Sequence, residues 1–278
     1  MKTLNIKILA IVILSVTLTS CEKVVTNVDL PDAEQQLVIQ SFISPQDDIT
    51  KVWVSLSTPV FSETPYDIEE DFLDNATVVI SDGATSKTLV FKNSKNYYYI
   101  SSLDFPIVAG KTYTLNVSTP DGKKCDAMCT VPLSNPLSFE LVSIDTNTYD
   151  DDYGFLKTRF KDISGEKNYY RVFAYDKRPH AGDTIYNELY PEYGNEVFTD
   201  INNDGNWLNQ TFHFYNNIKI LVFNILNVDK HYYSYHKSVI GNEDGNPFSE
   251  PVIVYSNVNN GLGVFCAYNS LSEEIDVK

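Results

Sequence analysis

The sequence has few positive charges. Its 278 residues include 21 Lys and Arg against 37 Asp and Glu, which gives a formal net charge of −16. An acidic surface of this kind repels phosphate backbones and is not attracted to anionic lipid head groups, so nucleic acid is excluded as a partner. Acidity is otherwise a solubility feature and indicates no particular ligand.

The sequence also lacks the common catalytic motifs. It contains no Gly-x-Ser-x-Gly elbow, phosphate-binding loop or dinucleotide fingerprint. His231 and His236 are five positions apart, off a common helical face, and no Glu lies between them as a zinc protease requires. His213 alternates with Phe212 and Phe214 in a predicted strand and so faces away from them. We therefore assign no catalytic residue and predict that the protein is not an enzyme.

The chain has one short apolar run near its start. Residues 8–16 are apolar apart from Ser15, which is too short for a membrane-spanning helix of about 20 residues but suits the core of a secretory signal peptide. The sequence Leu18-Thr-Ser-Cys21 resembles the bacterial lipobox, in which only a thiol accepts the diacylglycerol. We predict a signal peptide at 1–20, a lipid-modified Cys21 as the first mature residue, and a tether at 21–33. Several acyl chains on one residue anchor a protein firmly to a membrane.

Three cysteines follow Cys21. Cys125 and Cys129 lie on one face of a predicted strand, where four residues span ~13 Å, so these thiols cannot bond each other. Cys266 can pair with only one of them, and the sequence leaves open which. Buried thiols that act as small apolar side chains are the favoured interpretation.

Strand signals dominate the chain. The clearest hairpin joins residues 111–118 to residues 124–131 through the turn Pro120-Asp-Gly122. Strands at this spacing predict an all-β fold that begins with an immunoglobulin- or fibronectin-like β-sandwich over residues 34–132.

A second β-rich domain with one short helix is predicted for residues 133–278, after a boundary at Pro132-Leu-Ser-Asn-Pro136. Asp229 is predicted to cap the helix, and residues 252–255 are predicted to form a strand. Between Asp176 and Asn209 the sequence has no clear period, which predicts long loops of the kind that commonly carry binding sites.

Asp200, Asn202 and Asp204, followed by Gly205, match the first half of a calcium-binding loop. The second half does not match, because the twelfth position is Thr211 rather than a carboxylate. Calcium is therefore a hypothesis here, and a metal-free turn is the favoured interpretation, so no cofactor is required.

Tyrosine is abundant, with 19 residues. Adjacent tyrosines in a strand point to opposite faces, so at least one of Tyr169 and Tyr170 should leave the core. Together with Tyr190 and Tyr193 in the predicted loops, they are candidate binding residues for sugar or protein. Half-buried edge positions are the alternative explanation.

Several motifs, spread over nearly the whole chain, are shared with one family. They are Cys21-Glu, Ala76-Thr-Val-Val-Ile-Ser-Asp-Gly83, Ala109-Gly-Lys-Thr-Tyr-Thr-Leu115, Gly165-Glu-Lys-Asn-Tyr-Tyr-Arg171, Asp229-Lys-His-Tyr-Tyr233, Gly245-Asn-Pro-Phe-Ser-Glu-Pro251 and Ser256-Asn-Val-Asn-Asn-Gly-Leu-Gly-Val-Phe265. On these residues the chain resembles Bacteroidota outer-membrane lipoproteins of domain of unknown function 4249. The resemblance implies an outer-membrane lipoprotein, frequently encoded beside a TonB-dependent transporter, and it implies no catalytic residue.

Three functions are consistent with the sequence. The favoured one is a non-enzymatic, lipid-anchored accessory or ligand-capture protein that works with a TonB-dependent transporter at the outer membrane. The second is a surface carbohydrate-binding or adhesive module, and the third is a hydrolase of polysaccharide or peptide. The ligand and the membrane leaflet are left open.

Overall fold

The computed structural model describes residues 34–58, 72–133, 138–146, 153–180, 183–189, 191–192, 196–215, 217–240 and 253–277. The predicted signal peptide, Cys21 and the tether lie outside these ranges. Within them, no helix is both long enough and apolar enough to cross a membrane. Residues Gln35–Lys278 group into one compact unit.

Two antiparallel sheets form the predicted sandwich in the N-terminal half. The first has the order β1-β2-β6-β5 and consists of β1 (Leu37–Ile43), β2 (Ile49–Leu56), β5 (Val90–Lys92) and β6 (Tyr97–Ser101). The second has the order β8-β7-β3-β4 and consists of β3 (Thr77–Ser81), β4 (Ser86–Thr88), β7 (Thr112–Ser118) and β8 (Lys124–Thr130). The first sheet corresponds to strands A, B, E and D of an immunoglobulin domain, and the second corresponds to strands G, F and C with β4 added at the edge. The predicted sandwich is therefore confirmed.

Alternating side chains fill the interior of this sandwich. Tyr113, Leu115 and Val117 of β7 are buried, as are Cys125 and Cys129 of β8, because successive residues of a strand point to opposite faces. The hairpin and the common face of the two cysteines are therefore confirmed.

Tyr113 also fixes the connection before β7. Its hydroxyl accepts the backbone N–H of Val108 at 2.7 Å and donates to the carbonyl of Pro106 at 3.3 Å. A buried tyrosine at the start of this strand, bonded to backbone a few residues upstream, is a hallmark of immunoglobulin-like domains.

The C-terminal half consists mainly of longer strands. The first of its sheets has the order β14-β10-β9 and consists of β9 (Phe139–Asp145), β10 (Tyr153–Lys161) and β14 (Trp207–Tyr215). The others are β11 (Tyr169–His180), β12 (Asp183–Leu189), β13 (Val197–Thr199), β15 (Ile220–Val228), β16 (Val258–Asn259) and β17 (Leu262–Asp276). Strands β12, β11, β15 and β17 continue the first sheet of the sandwich beyond β1.

Strand β17 joins the two halves of the chain. Its first residues pair in parallel with β1, with Gly263 opposite Ile39, and its later residues pair antiparallel with β15. Just before it, β16 pairs with β8 in the second sheet of the sandwich. The motif at residues 256–265 therefore lies across one edge of the sandwich and adds a strand to each sheet. The domain boundary predicted at 132–136 stays a prediction.

The predicted helix is present as α1 (Lys230–Ile240). The Asp229 carboxylate accepts the backbone N–H of Tyr232 at 2.7 Å, as expected of a capping residue. The helix packs on the large sheet, where Tyr232 belongs to a buried cluster with Phe173, Val264 and Cys266.

Two predictions about local structure were wrong. The predicted long loops over 176–209 contain the end of β11 together with β12 and β13, because that polar, aromatic sequence pairs as a hairpin whose partners its own period does not reveal. The described part of the predicted strand at 252–255 is not a strand, since Tyr255 bonds to Ser238 and His231 of the helix instead of joining a ladder.

The three described cysteines are free and buried. Cys125 and Cys129 face the core of the sandwich, whereas Cys266 faces the cluster under the helix. The interpretation of these residues as small apolar side chains is confirmed.

Candidate functional site

Three carboxylates meet at the loop that was predicted to bind calcium. Asp200 and Asp204 lie between β13 and β14, and Asp162, just after β10, joins them so that one oxygen from each lies within 4.8 Å of the others. Asn202 has φ of 69°, a left-handed conformation that asparagine tolerates. The sequence pattern missed Asp162, because only folding brings it beside Asp200.

Asp162 is the most buried member of this cluster and binds two donors of the protein itself. The Tyr170 hydroxyl donates to its Oδ1 at 2.7 Å, and the backbone N–H of Gly205 donates to its Oδ2 at 2.7 Å. Tyr170 is fully buried, so its prediction as a binding residue was wrong. Its hydroxyl donates to Asp162 in the protein interior and is not available to a ligand.

Asp200 and Asp204 accept hydrogen bonds from the backbone of the turn between β10 and β11 and stabilise it. The backbone N–H of Asn168 donates to Asp200 at 3.0 Å, and that of Gly165 donates to Asp204 at 2.8 Å. Carboxylate oxygens are the ligands that Ca²⁺ prefers, so the donor set is suitable, but each carboxylate already accepts a hydrogen bond. Calcium stays a hypothesis, and the metal-free turn stays the favoured interpretation.

The other predicted binding tyrosines have separate outcomes. Tyr169 is half-buried, and its ring lies 5.0 Å from that of Tyr233 on the helix. The Lys167 ammonium lies 5.2 Å from the centre of the Tyr169 ring. Tyr169 stays a candidate, and Tyr190 and Tyr193 lie outside the described residues.

Arg171 lies at the centre of a network between the sheet and the helix. Its guanidinium bonds Glu196, Glu188 at 2.9 Å and the Tyr232 hydroxyl at 3.0 Å. Burial opposes the charge, but these partners outweigh it and raise the pKa of Arg171 above its ordinary value. Each of the three guanidinium nitrogens donates a hydrogen bond to a side chain of the protein, so the network has a structural role.

Two titratable groups of the helix region have shifted pKa values. His236 stacks on Tyr232, with ring centroids 4.2 Å apart, and burial together with the charge of Arg171 lowers the pKa of His236 to about 4. Burial raises the pKa of Asp229 to about 7, although nearby backbone N–H groups act in the opposite direction. Oδ2 of Asp229 is buried and lacks a hydrogen-bond partner among the described residues.

An open cleft of about 490 Å³ lies where β1, β2 and β17 meet. It is lined by aromatic side chains and by charged groups of both signs, namely Phe42, Asp47, Asp48, Ile49, Lys51, Trp53 and Tyr268. The Tyr268 hydroxyl lies 2.9 and 3.0 Å from the two carboxylate oxygens of Asp47 and orients that group. Burial raises the pKa of Asp47.

Sequence reasoning missed this cleft, because one of its walls, Tyr268, comes from the far end of the chain and meets residues 42–53 only in the folded protein. The available signal was Trp53, a large aromatic residue that alternates with Val52 and Val54 and therefore points away from the core.

The fold and these sites define an all-β protein with an immunoglobulin-like sandwich and an open, aromatic-lined cleft. The chain belongs to the family Domain of unknown function (DUF4249), whose profile matches residues 25–274. The domain of unknown function predicted from the motifs is thereby confirmed, and membership among outer-membrane lipoproteins of Bacteroidota stays a prediction. No curated protein matches the chain. Among solved structures, a two fibronectin type-III domain segment from chicken tenascin is similar at 10% identity and a TM-score of 0.22, covering 88% of this chain and 100% of that one.

Proposed function

We propose that this protein is a lipid-anchored, non-enzymatic accessory protein of the bacterial outer membrane that captures a ligand for a TonB-dependent transporter. The observation that carries the proposal is the cleft at Phe42, Trp53 and Tyr268, which combines apolar walls with charged groups. Such concave sites with a few convergent polar groups are typical of ligand binding. Its most buried carboxylate, Asp47, is held by a hydroxyl, which suits positioning a ligand.

The anchor explains how weak binding would suffice. Acylation at Cys21 confines the protein to the membrane plane beside its partner, and this raises the effective concentration of each for the other. Individually weak contacts between the two proteins then give a lasting association.

The experiment replaces residues 1–21 with an ordinary cleavable secretory signal, so that the mature chain begins at Glu22. We expect the wild type in the membrane fraction and the altered chain in the soluble fraction, with equal unfolding midpoints as the control for folding. An altered chain that stays with the membrane would overturn the anchoring step.

The transporter is tested separately. Wild-type protein purified from detergent-solubilised membranes should carry a stoichiometric β-barrel partner, identified by mass spectrometry. Purification without any such partner would remove the transporter from the proposal while leaving the anchor in place.

A surface carbohydrate-binding module is the second candidate. It is favoured by three aromatic side chains on the outer face of the sandwich, since Trp53 of the cleft lies beside Tyr97 on β6, which in turn lies beside Tyr99.

A further inference from the structure

Three aromatic rings lie side by side on the outer face of the first sheet. The ring centroid of Tyr97 lies 5.5 Å from that of Trp53 and 6.4 Å from that of Tyr99. Tyr97 is 9% exposed and forms the base, whereas Trp53 and Tyr99 are half-buried. Among the described residues, none of the three buried clusters includes these rings, because the alternate residues of β2 and β6 fill the sandwich.

Two lysines flank the rings. Lys51 and Lys92 each place an ammonium about 6 Å from the Tyr97 ring, at 5.8 and 6.0 Å, and Lys92 lies 5.8 Å from that of Tyr99. The aromatic faces hold the ammonium groups by cation–π attraction and keep them at this surface.

The rings and the cleft form one continuous surface, since Lys51 and Trp53 belong to both. We call it the Trp53 surface. Its charged groups, Asp47, Asp48, Lys51 and Lys92, sum to zero, whereas the whole chain has a net charge of −16.

This local balance selects between ligands. A polyanion would meet Asp47 and Asp48, and a polycation would meet Lys51 and Lys92. A neutral molecule with many hydroxyls can donate to the carboxylates and accept from the ammonium groups, while its apolar C–H faces pack on the rings.

We infer that the Trp53 surface binds a neutral oligosaccharide, with sugar rings against Trp53 and Tyr99 and hydroxyls on Asp48 and Lys51. The inference rests on the proposed ligand-capture function and names the class of ligand.

Trp53 provides the probe for the test. The chain has two tryptophans, Trp53 and Trp207, and Trp207 lies on β14 beneath the Arg159 guanidinium. A Trp207→Phe variant therefore reports on Trp53 alone. It is titrated with neutral hexasaccharides of glucose, xylose and mannose in their common linkages, and with oligogalacturonate and a lysine-rich peptide as charged comparisons.

At least one neutral hexasaccharide should change the Trp53 emission saturably. By calorimetry on the otherwise wild-type chain, Trp53→Ala and Tyr99→Ala should each weaken binding about tenfold or more. Tyr215→Ala is the matched control, since Tyr215 is 49% exposed on β14, outside the Trp53 surface, and should bind like wild type.

Three outcomes would overturn the inference: no saturation by any neutral hexasaccharide, saturation only by a charged comparison, or equal weakening by Tyr215→Ala. Unfolding midpoints of all variants separate loss of binding from loss of fold. Failure here leaves the membrane-fraction and partner results unchanged, so it is distinguishable from failure of the proposed function.

Discussion

Substituting Gly263 tests whether β17, from the C-terminal half, packs closely against β1 of the N-terminal sandwich. It lies opposite Ile39 in the parallel pair of β1 and β17 and has φ of +100°. A Cβ at this position would lie 1.9 Å from the carbonyl oxygen of Ile39. Alanine there would have to adopt a backbone conformation that suits glycine and also push the two strands apart.

The size of the effect follows from these two costs. A left-handed conformation of a non-glycine residue costs about 1–2 kcal/mol. Separating the strands removes hydrogen bonds worth about 1 kcal/mol each and disturbs the packing of Phe265, which is fully buried. We expect Gly263→Ala to lower the free energy of unfolding by on the order of 3–5 kcal/mol.

Gly122→Ala is the matched control. Gly122 has a similar φ of +94°, but a Cβ there would meet nothing within 4 Å, so only the conformational cost applies. Both variants are unfolded in guanidinium, in chains that begin at Glu22, with circular dichroism as the signal. Gly263→Ala should lose at least about 2 kcal/mol more than Gly122→Ala. Equal losses would refute the close approach of β17 to β1.

Three further predictions concern the buried polar groups. Tyr170→Phe should lower the free energy of unfolding by about 1–3 kcal/mol, because it removes a donor from the buried Asp162, while Tyr169→Phe should change little; equal effects would contradict this. Calcium should not shift the thermal midpoint of chelator-treated protein, because the protein's own groups already donate to the carboxylates; a rise that Asp204→Asn removes would instead establish the metal site. The pKa of Asp229 is raised from 3.8 to about 7, so the folded form binds this proton more tightly and the group lowers stability as the pH rises through that window. Asp229→Asn keeps the helix cap and should be more stable than wild type above about pH 7 by on the order of 4 kcal/mol, and equal to it below pH 3.8; identical pH profiles in guanidinium unfolding would contradict the shift.

The parts of the fold that sequence predicted correctly depend on neighbouring residues. The hairpin predicted from residues 111–118 and 124–131 agrees with β7 and β8, since buried residues alternate there and the period of a strand is two. The helix also has a local signal, because Asp229 supplies a capping oxygen three residues before the N–H that it accepts.

The parts that sequence missed depend on distant residues. Asp162 follows β10 and Asp200 follows β13, so only the folded chain brings them together, and nothing near Asp162 in the sequence marks it as a partner. The Trp53 surface likewise needs Tyr268, from the other end of the chain, to orient Asp47. Tyr170 could be placed on the strand but not on the correct face, since both it and Tyr169 fit an aromatic strand equally well.

The boundary predicted at residues 132–136 can be tested with a fragment that ends there. The core of the sandwich includes Val258, Phe265 and Ala267, which belong to β16 and β17. A fragment of residues 34–132 would lack these side chains and would expose the edge of β1 that pairs with β17. We therefore expect it to unfold without a cooperative transition, or to aggregate, whereas the chain from Glu22 unfolds cooperatively. A sharp guanidinium transition and dispersed amide NMR signals for the fragment would show instead that the first half folds by itself, and that the C-terminal strands only add to a complete sandwich.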